Sequence, residues 1–369
     1  MDISVLDKEF NAIAIIDSYK SFIWTDRYDR PGDFEIYTVA STEIQEILKK
    51  DYYLQILGSE HTMIIEDFSV ETTVDDGNFI KITGRSLESI LDRRIVWNMT
   101  DIDGPLTTGI YKLLNDAIIS PQIADRQISN FIIEDTSDER ITALTMDHQY
   151  TGDNLLDIVM DMCESNEIGF KIILNDQNQF VFSLFMGTDR SYSQDSLPYV
   201  VFMPSFDNVI NTTYQETNSG YKNVTLVAGE DRQYDVDTDY ETLSMDEKEA
   251  IRVTRTVGSG TGLYRRELYT DARDIQKEEE MTEEEYNLKL DQRGTEKLKE
   301  NQIKRQFDGQ YETERMFVYG EDFFMGDVVQ VANQFGNEAP SRIIEFIWSH
   351  SDSGTESYPT FKAYEYQED

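Results

Sequence analysis

The stretch Gly84-Arg85-Ser86-Leu87-Glu88-Ser89-Ile90-Leu91-Asp92-Arg93-Arg94-Ile95-Val96-Trp97 marks the point where a β pattern gives way to a helical one. Before it, residues 63–73 and 79–84 read as two strands joined by Val74-Asp75-Asp76-Gly77-Asn78, a strong hairpin signal. Within it, Leu87, Ile90 and Leu91 recur at helical spacing, which predicts a short amphipathic helix. Arg93, Arg94 and Trp97 lie just beyond the apolar face.

Upstream, Phe22 and Trp24 alternate with Ser21, Ile23 and Thr25, and Phe34-Glu35-Ile36-Tyr37-Thr38-Val39 answers them. The turn between is Asp29-Arg30-Pro31-Gly32-Asp33, where Pro presets φ and Gly takes a positive-φ position. Thr42-Glu43-Ile44-Gln45 has the capping-box pattern of a short helix, and another strand is expected at 53–57. Residues 1–100 therefore read as one β module.

Downstream the character changes. Two amphipathic helices, at about 106–119 and 153–166, alternate with strands at 168–174 and 179–185 joined by Asn175-Asp176-Gln177-Asn178. Residues 101–205 read as an α+β insertion. From 206 strands return, with an acidic stretch at 230–250 expected as an exposed loop or short helix. A helix is expected over 282–304, opened by the capping box Thr282-Glu283-Glu284-Glu285 and burying only a thin apolar stripe. Strands at 310–319, 328–332 and 343–349 close the segment 206–369. The expected fold is α+β and β-rich: two β-barrel-like modules with an α+β insertion.

The chain carries 72 acidic and 33 basic residues, a formal net charge of −39. Acids outnumber bases in each of the three segments, so the excess is not a tail. That distribution argues against a simple nucleic-acid binder, which needs basic residues to displace counterions from phosphate. Two readings of the charge stay open: solubility, or the wall of a conduit that repels DNA. Aromatics at 12% separate the chain from disordered acidic proteins and favour strands. Its start lacks a basic region and a long apolar run, and no stretch of 18 apolar residues occurs, so neither a signal peptide nor a membrane span is expected. The single cysteine, Cys163, excludes a disulfide within the chain and fits a reducing compartment.

No catalytic constellation stands out. His61, His148 and His350 are far apart in sequence and lack metal-ligand spacing. A Cys-His nucleophile built from Cys163 and His148 conflicts with the place of Cys163 on an apolar helix face, where a small core residue is expected. Gly258-Ser259-Gly260-Thr261-Gly262 resembles a phosphate loop but is followed by a strand pattern, so it is read as a hairpin connection. Asp235-Val236-Asp237-Thr238-Asp239, with Asp246 twelfth, resembles a calcium loop, yet Tyr240 stands where Gly is needed. No catalytic residue, metal ligand or cofactor is expected. Arg265, Arg266 and Arg273 form the densest basic cluster, either a surface ion-pair network or partners for a neighbour's carboxylates. Together with Arg93 and Arg94 they are the candidate interface residues.

The serial order of motifs resembles the hub proteins at the tip of long-tailed bacteriophage tails. That family includes the amino-terminal module of tail-associated lysins and the trimeric hub of contractile phage baseplates. The residues that carry the resemblance are Trp24, Arg27, Tyr28, Gly32 and Phe34; the 84–94 stretch; Gly169-Phe170; Phe206-Asp207-Asn208; Arg265-Arg266-Glu267; Gly326-Asp327-Val328-Val329; and Arg342-Ile343-Ile344-Glu345. The resemblance implies a homotrimeric ring at the distal end of the tail, assembled in the host bacterial cytoplasm. Its expected partners are a hexameric distal tail protein, the tape-measure protein and tip or receptor-binding proteins, with DNA passing through the lumen without specific binding. Lysin-bearing relatives continue past the position of Asp369, so lytic activity is expected from another polypeptide. The competing readings are a tail-associated cell-wall hydrolase and a host-glycan binding module using exposed Tyr and Trp.

Overall fold

The computed structural model describes residues 1–73, 77–231, 252–273, 275, 277, 281–311, 313, 316–351 and 354–364. The Val74-Asp75-Asp76 turn, the acidic stretch from 232 with its calcium-loop-like aspartates, and Asp274 lie outside the described residues. The chain divides into two compact units, residues 1–214 with 306–369, and residues 215–305.

In the first unit the alternation of apolar and polar residues produces seven early strands. They are β1 (Ile3–Leu6), β2 (Ala12–Ile16), β3 (Ser21–Arg27), β4 (Asp33–Val39), β5 (Tyr53–Ile56), β6 (Met63–Thr73) and β7 (Gly77–Ser86). β4 buries Phe34, Ile36 and Thr38 and turns the residues between them outward, the period of a sheet with one face in a core. The six-residue helix Thr42–Ile47 follows, capped by Ser41, whose hydroxyl accepts from Ile44 N–H; the cap lies one residue before the expected Thr42.

The β-rich α+β class is observed, but the sheets are not closed. Among the described residues the largest sheet has eleven strands: ten lie on an open path that ends at β2 on one side and at Val201–Phe202 on the other, and Gly354–Ala363 branches from it by pairing with Glu338–Ser351. Residue alternation specifies which face of a strand is buried. It does not specify whether the two edges meet, which is why the sequence pattern looked barrel-like.

The path joins the two ends of the chain. β3 pairs antiparallel with the strand Glu338–Ser351, setting Trp24 opposite Trp348, while on its other side Trp24 faces Phe34 of β4. These rings enter one core with Phe22, Phe202, Phe323 and Phe346. A bulge between Ile343 and Glu345 interrupts the pairing of that strand with Gly354–Ala363.

The 84–97 stretch turns out of this sheet. A Cβ on Gly84 would lie 1.8 Å from Ile64 O, so only glycine lets β7 approach β6 here. Leu87–Arg93 then forms a 3₁₀ helix rather than an amphipathic α-helix. Its Glu88 and Ser89 are buried along with Leu87, Ile90 and Leu91, because α+β elements close over the side that would have faced water.

Those elements share a second core. The helix Leu106–Leu114 runs into a π turn at Asn115–Ile119, and Leu155–Ser165 starts at Asn154, whose side chain accepts from Leu156 and Asp157 N–H. Phe180–Phe185, with five of its six residues buried, is the central strand between Gly169–Leu174 and Phe131–Glu134. Cys163 is fully enclosed in this core.

The second unit is a three-stranded sheet, Arg252–Gly258, Val224–Asp231 and Glu267–Asp271 in that spatial order, with the helix Glu283–Glu300. The helix carries the expected capping box and buries Tyr286, Leu290, Gly294 and Leu298. The Gly258–Gly262 loop is not a hairpin. Its flanking strands lie on opposite sides of Val224–Asp231, so the loop crosses the start of that strand. Asn223 stitches the crossing, donating to Tyr264 O and accepting from Arg266 N–H.

Candidate functional site

Several of the residues that carried the serial resemblance come together in space. Tyr28 follows β3, and its ring is pressed between Gly169 and Gly326. A Cβ on either glycine would stand 2.5 Å and 2.2 Å from the ring, and Gly326 also needs φ +86°. The hydroxyl donates to Glu167 O at 3.0 Å, and Phe170 N–H donates to Tyr28 O. Arg342 lies over the ring at 5.3 Å and donates to Gly326 O at 2.8 Å. Burial pushes the phenol above its usual range.

Beside it Asp327 is almost wholly buried. It accepts from Thr188 N–H at 2.7 Å, from Phe324 N–H at 3.0 Å and from Arg190 Nε at 2.8 Å. Arg27 spans Asp33 at 2.9 Å and Glu345 at 2.7 Å. Gly32 N–H donates to Ser86 Oγ at 2.7 Å, tying the turn to the 84–97 stretch. This joint brings together residues from 27–33, 167–190 and 324–345. Its arginines are matched by carboxylates and no reactive group is exposed. It specifies the fold.

A second buried polar group sits between β3 and the α+β core. His61 Nδ1 stands 3.1 Å from Glu88 Oε1, which also accepts from Ile172 N–H at 2.8 Å. Asp26 accepts from Trp24 Nε1 at 2.9 Å and from Ser59 Oγ at 2.7 Å. Burial works against a charge on His61, but Asp26 and Glu88 outweigh it and raise its pKa to about 9. Glu88 is lowered: burial is outweighed by His61 and the hydrogen bonds it accepts. Asp26 is raised, mainly by burial. The Ser59 hydroxyl donates to Asp26 rather than to the imidazole, so no activated nucleophile results. No role for His61 is legible in the sequence, because a buried ion pair needs contacts from 59–61, 88 and 172, which no local pattern encodes.

The other sequence candidates separate. Burial pushes the Cys163 thiol well above its usual range, the opposite of an activated nucleophile, while His148 is exposed on Thr145–Tyr150. Among the described residues no His, Cys, Asp and Glu cluster could hold a metal, and no helix is long and apolar enough to cross a membrane. Arg265 pairs with Glu267 at 2.5 Å, and Arg273 pairs with Asp271. Arg266 donates to Asn218 O and lies 5.6 Å from the Tyr221 ring centre. These three belong to the second unit, while Arg93 and Arg94 belong to the first. Arg93 reaches Asp51 only at 3.9 Å, and Arg94 donates to the backbone oxygens of Arg93 and Arg126.

The whole chain can be compared with known proteins. It is similar in fold to the 43 kDa tail protein of prophage MuSo2 from Shewanella oneidensis, at TM-score 0.61 and 12% identity over 98% of both chains. A tail protein from Neisseria meningitidis MC58 aligns at TM-score 0.59 and 14% identity, over 98% of this chain and 95% of the other. Prophage tail protein gp18 from Listeria monocytogenes EGD-e aligns at 0.55 and 13%, over 98% and 94%. No curated protein matches. The family described as siphovirus ReqiPepy6 Gp37-like protein matches residues 2–361. The chain belongs to that siphovirus protein family and shares the fold of these tail proteins.

Proposed function

We propose that this protein is a structural hub at the distal end of a siphophage tail. In this reading three copies form a ring that joins the hexameric distal tail protein to tip or receptor-binding components. The ring encloses a channel for the tape-measure protein and DNA, and the chain has no enzymatic activity of its own.

The observation that carries the reading is the Tyr28 joint, where motifs spaced along a hub-like sequence fold into one buried assembly within a siphovirus protein family that has a tail-protein fold. Of the residues a cell-wall peptidase could use, Cys163 is enclosed in the second core. The acidic surface suits a lumen that DNA crosses without adhering.

Light scattering on the purified chain, alone and with the distal tail protein, tests the reading. The expected mass is three times 42.8 kDa, or three chains per hexameric partner ring. A chain that stays single under both conditions contradicts it. Clearing of cell-wall substrate by the pure protein would replace it with the hydrolase reading.

A further inference from the structure

Arginines in this chain commonly reach a carboxylate. Arg27, Arg85 and Arg190 each do so within 2.8 Å. Among the described residues Arg94 and Arg126 reach none. Arg94 donates to Arg126 O at 2.9 Å, and Arg126 donates to Ile95 O at 2.7 Å. The Arg126 guanidinium lies 5.3 Å from the centre of the Trp97 ring. Partial burial, together with Arg126 and Arg93, holds Arg94 below its usual range, so the cluster is concentrated positive charge. In a chain of net charge −39, leaving these cations unmatched is unusual.

Exposed apolar side chains accompany the cations. Trp97 is 56% exposed, Ile95 and Met99 are exposed beside it in sequence, and Ile123, whose backbone oxygen accepts from Arg126 N–H, is exposed as well. A pocket of about 300 Å³ adjoins the indole, lined in part by Asn98, Thr100, Leu113, Asp116 and Gln122. The platform is fixed: Val96 N–H donates to Asp153 O, Gly152 N–H donates to Val96 O, and Asn98 donates to Gln122 at 3.2 Å. Exposed tryptophan with arginine and methionine on a rigid surface is the composition of an interface centre.

We propose that the Arg94–Arg126–Trp97 patch is a contact between copies of this chain, receiving carboxylates of a second copy while the Trp97 ring is covered. The occupant follows from charge: two acidic copies repel unless their contact holds fixed cations, and guanidinium groups bind carboxylates bidentately. The proposal rests on the ring reading and adds where one face of that contact lies.

Sedimentation velocity over a dilution series tests it, with acrylamide quenching as a second readout. Trp24 and Trp348 are buried, so Trp97 supplies the quenchable emission. In the wild type, assembly should cut Trp97 quenching at least twofold, and dilution should restore it. Arg94→Glu with Arg126→Glu should weaken association at least tenfold. Trp97→Glu should do the same while changing only an exposed side chain, which covers the case that the arginine variant fails to fold. Assembly with Trp97 as quenchable as in the single chain overturns the patch and leaves the ring reading standing. Normal assembly of the Trp97→Glu variant does the same, as does patch-dependent binding of a DNA oligonucleotide while assembly is unaffected. A wild type that never associates overturns both.

Discussion

Tyr28 and Trp97 sit in the same compact unit, each with an arginine over its ring, yet they do different work. At Tyr28 the ring is enclosed, and Arg342, Arg27 and Arg190 are each matched by a carboxylate. At Trp97 the ring is open to water and the arginines meet only backbone oxygens. The same residue chemistry thus specifies the fold where it is satisfied and offers a contact where it is not. The contrast turns on burial and charge matching, quantities that can be altered one residue at a time.

The largest expected effect is at the enclosed ring. Tyr28→Ala should cost about 3–5 kcal/mol, the range for emptying an aromatic site in a core. It should appear as a large fall in the urea midpoint of the first unit; a loss below about 1 kcal/mol would mean that the joint is dispensable. Next, Asp327→Ala strands Arg190 and two backbone N–H groups, and about 3 kcal/mol should be lost in the same assay.

The His61 group predicts a pH dependence. A histidine raised to about 9 contributes stability that is complete below its ordinary 6.5 and lost as pH rises through about 9. Asp26, raised, acts in the same direction above the ordinary carboxylate range, whereas lowered Glu88 contributes above that range and loses its contribution as pH falls. The unfolding free energy from urea titration should therefore decline between pH 6.5 and 9, by at most about 1.4 kcal/mol per pH unit for one proton. A His61→Gln, Glu88→Gln double variant should flatten that decline.

Smaller effects belong to exposed positions. Thr282→Ala removes the capping box of Glu283–Glu300 and should cost about 1 kcal/mol, read as faster amide exchange in that helix. Trp97→Ala should leave the stability of the single chain within about 0.5 kcal/mol, although association weakens. A large loss of stability there would erase the distinction between the two aromatic sites.

Much of the local structure was legible because it depends on residues close in sequence. Val328–Ala332 and the Thr282 cap fall where the pattern placed them, and Asn154 caps the helix expected near 153. The pairing of Trp24 with Trp348 was not legible, since alternation fixes a strand's faces and not its partner. The 3₁₀ turn at Leu87–Arg93 escaped the helical reading for a related reason: a second core covers the face that local spacing leaves polar. Of the interface candidates, Arg94 was marked from its place after an apolar run. Arg126 was not, because its stacking on Trp97 joins residues 29 apart in sequence.

A density map of the assembled tail tip tests the central claim most directly. Three copies of this chain in a ring beneath the last tail ring, enclosing an axial channel, are the expected result. Six copies in the tail tube, or a position off the tail axis, would contradict the hub reading.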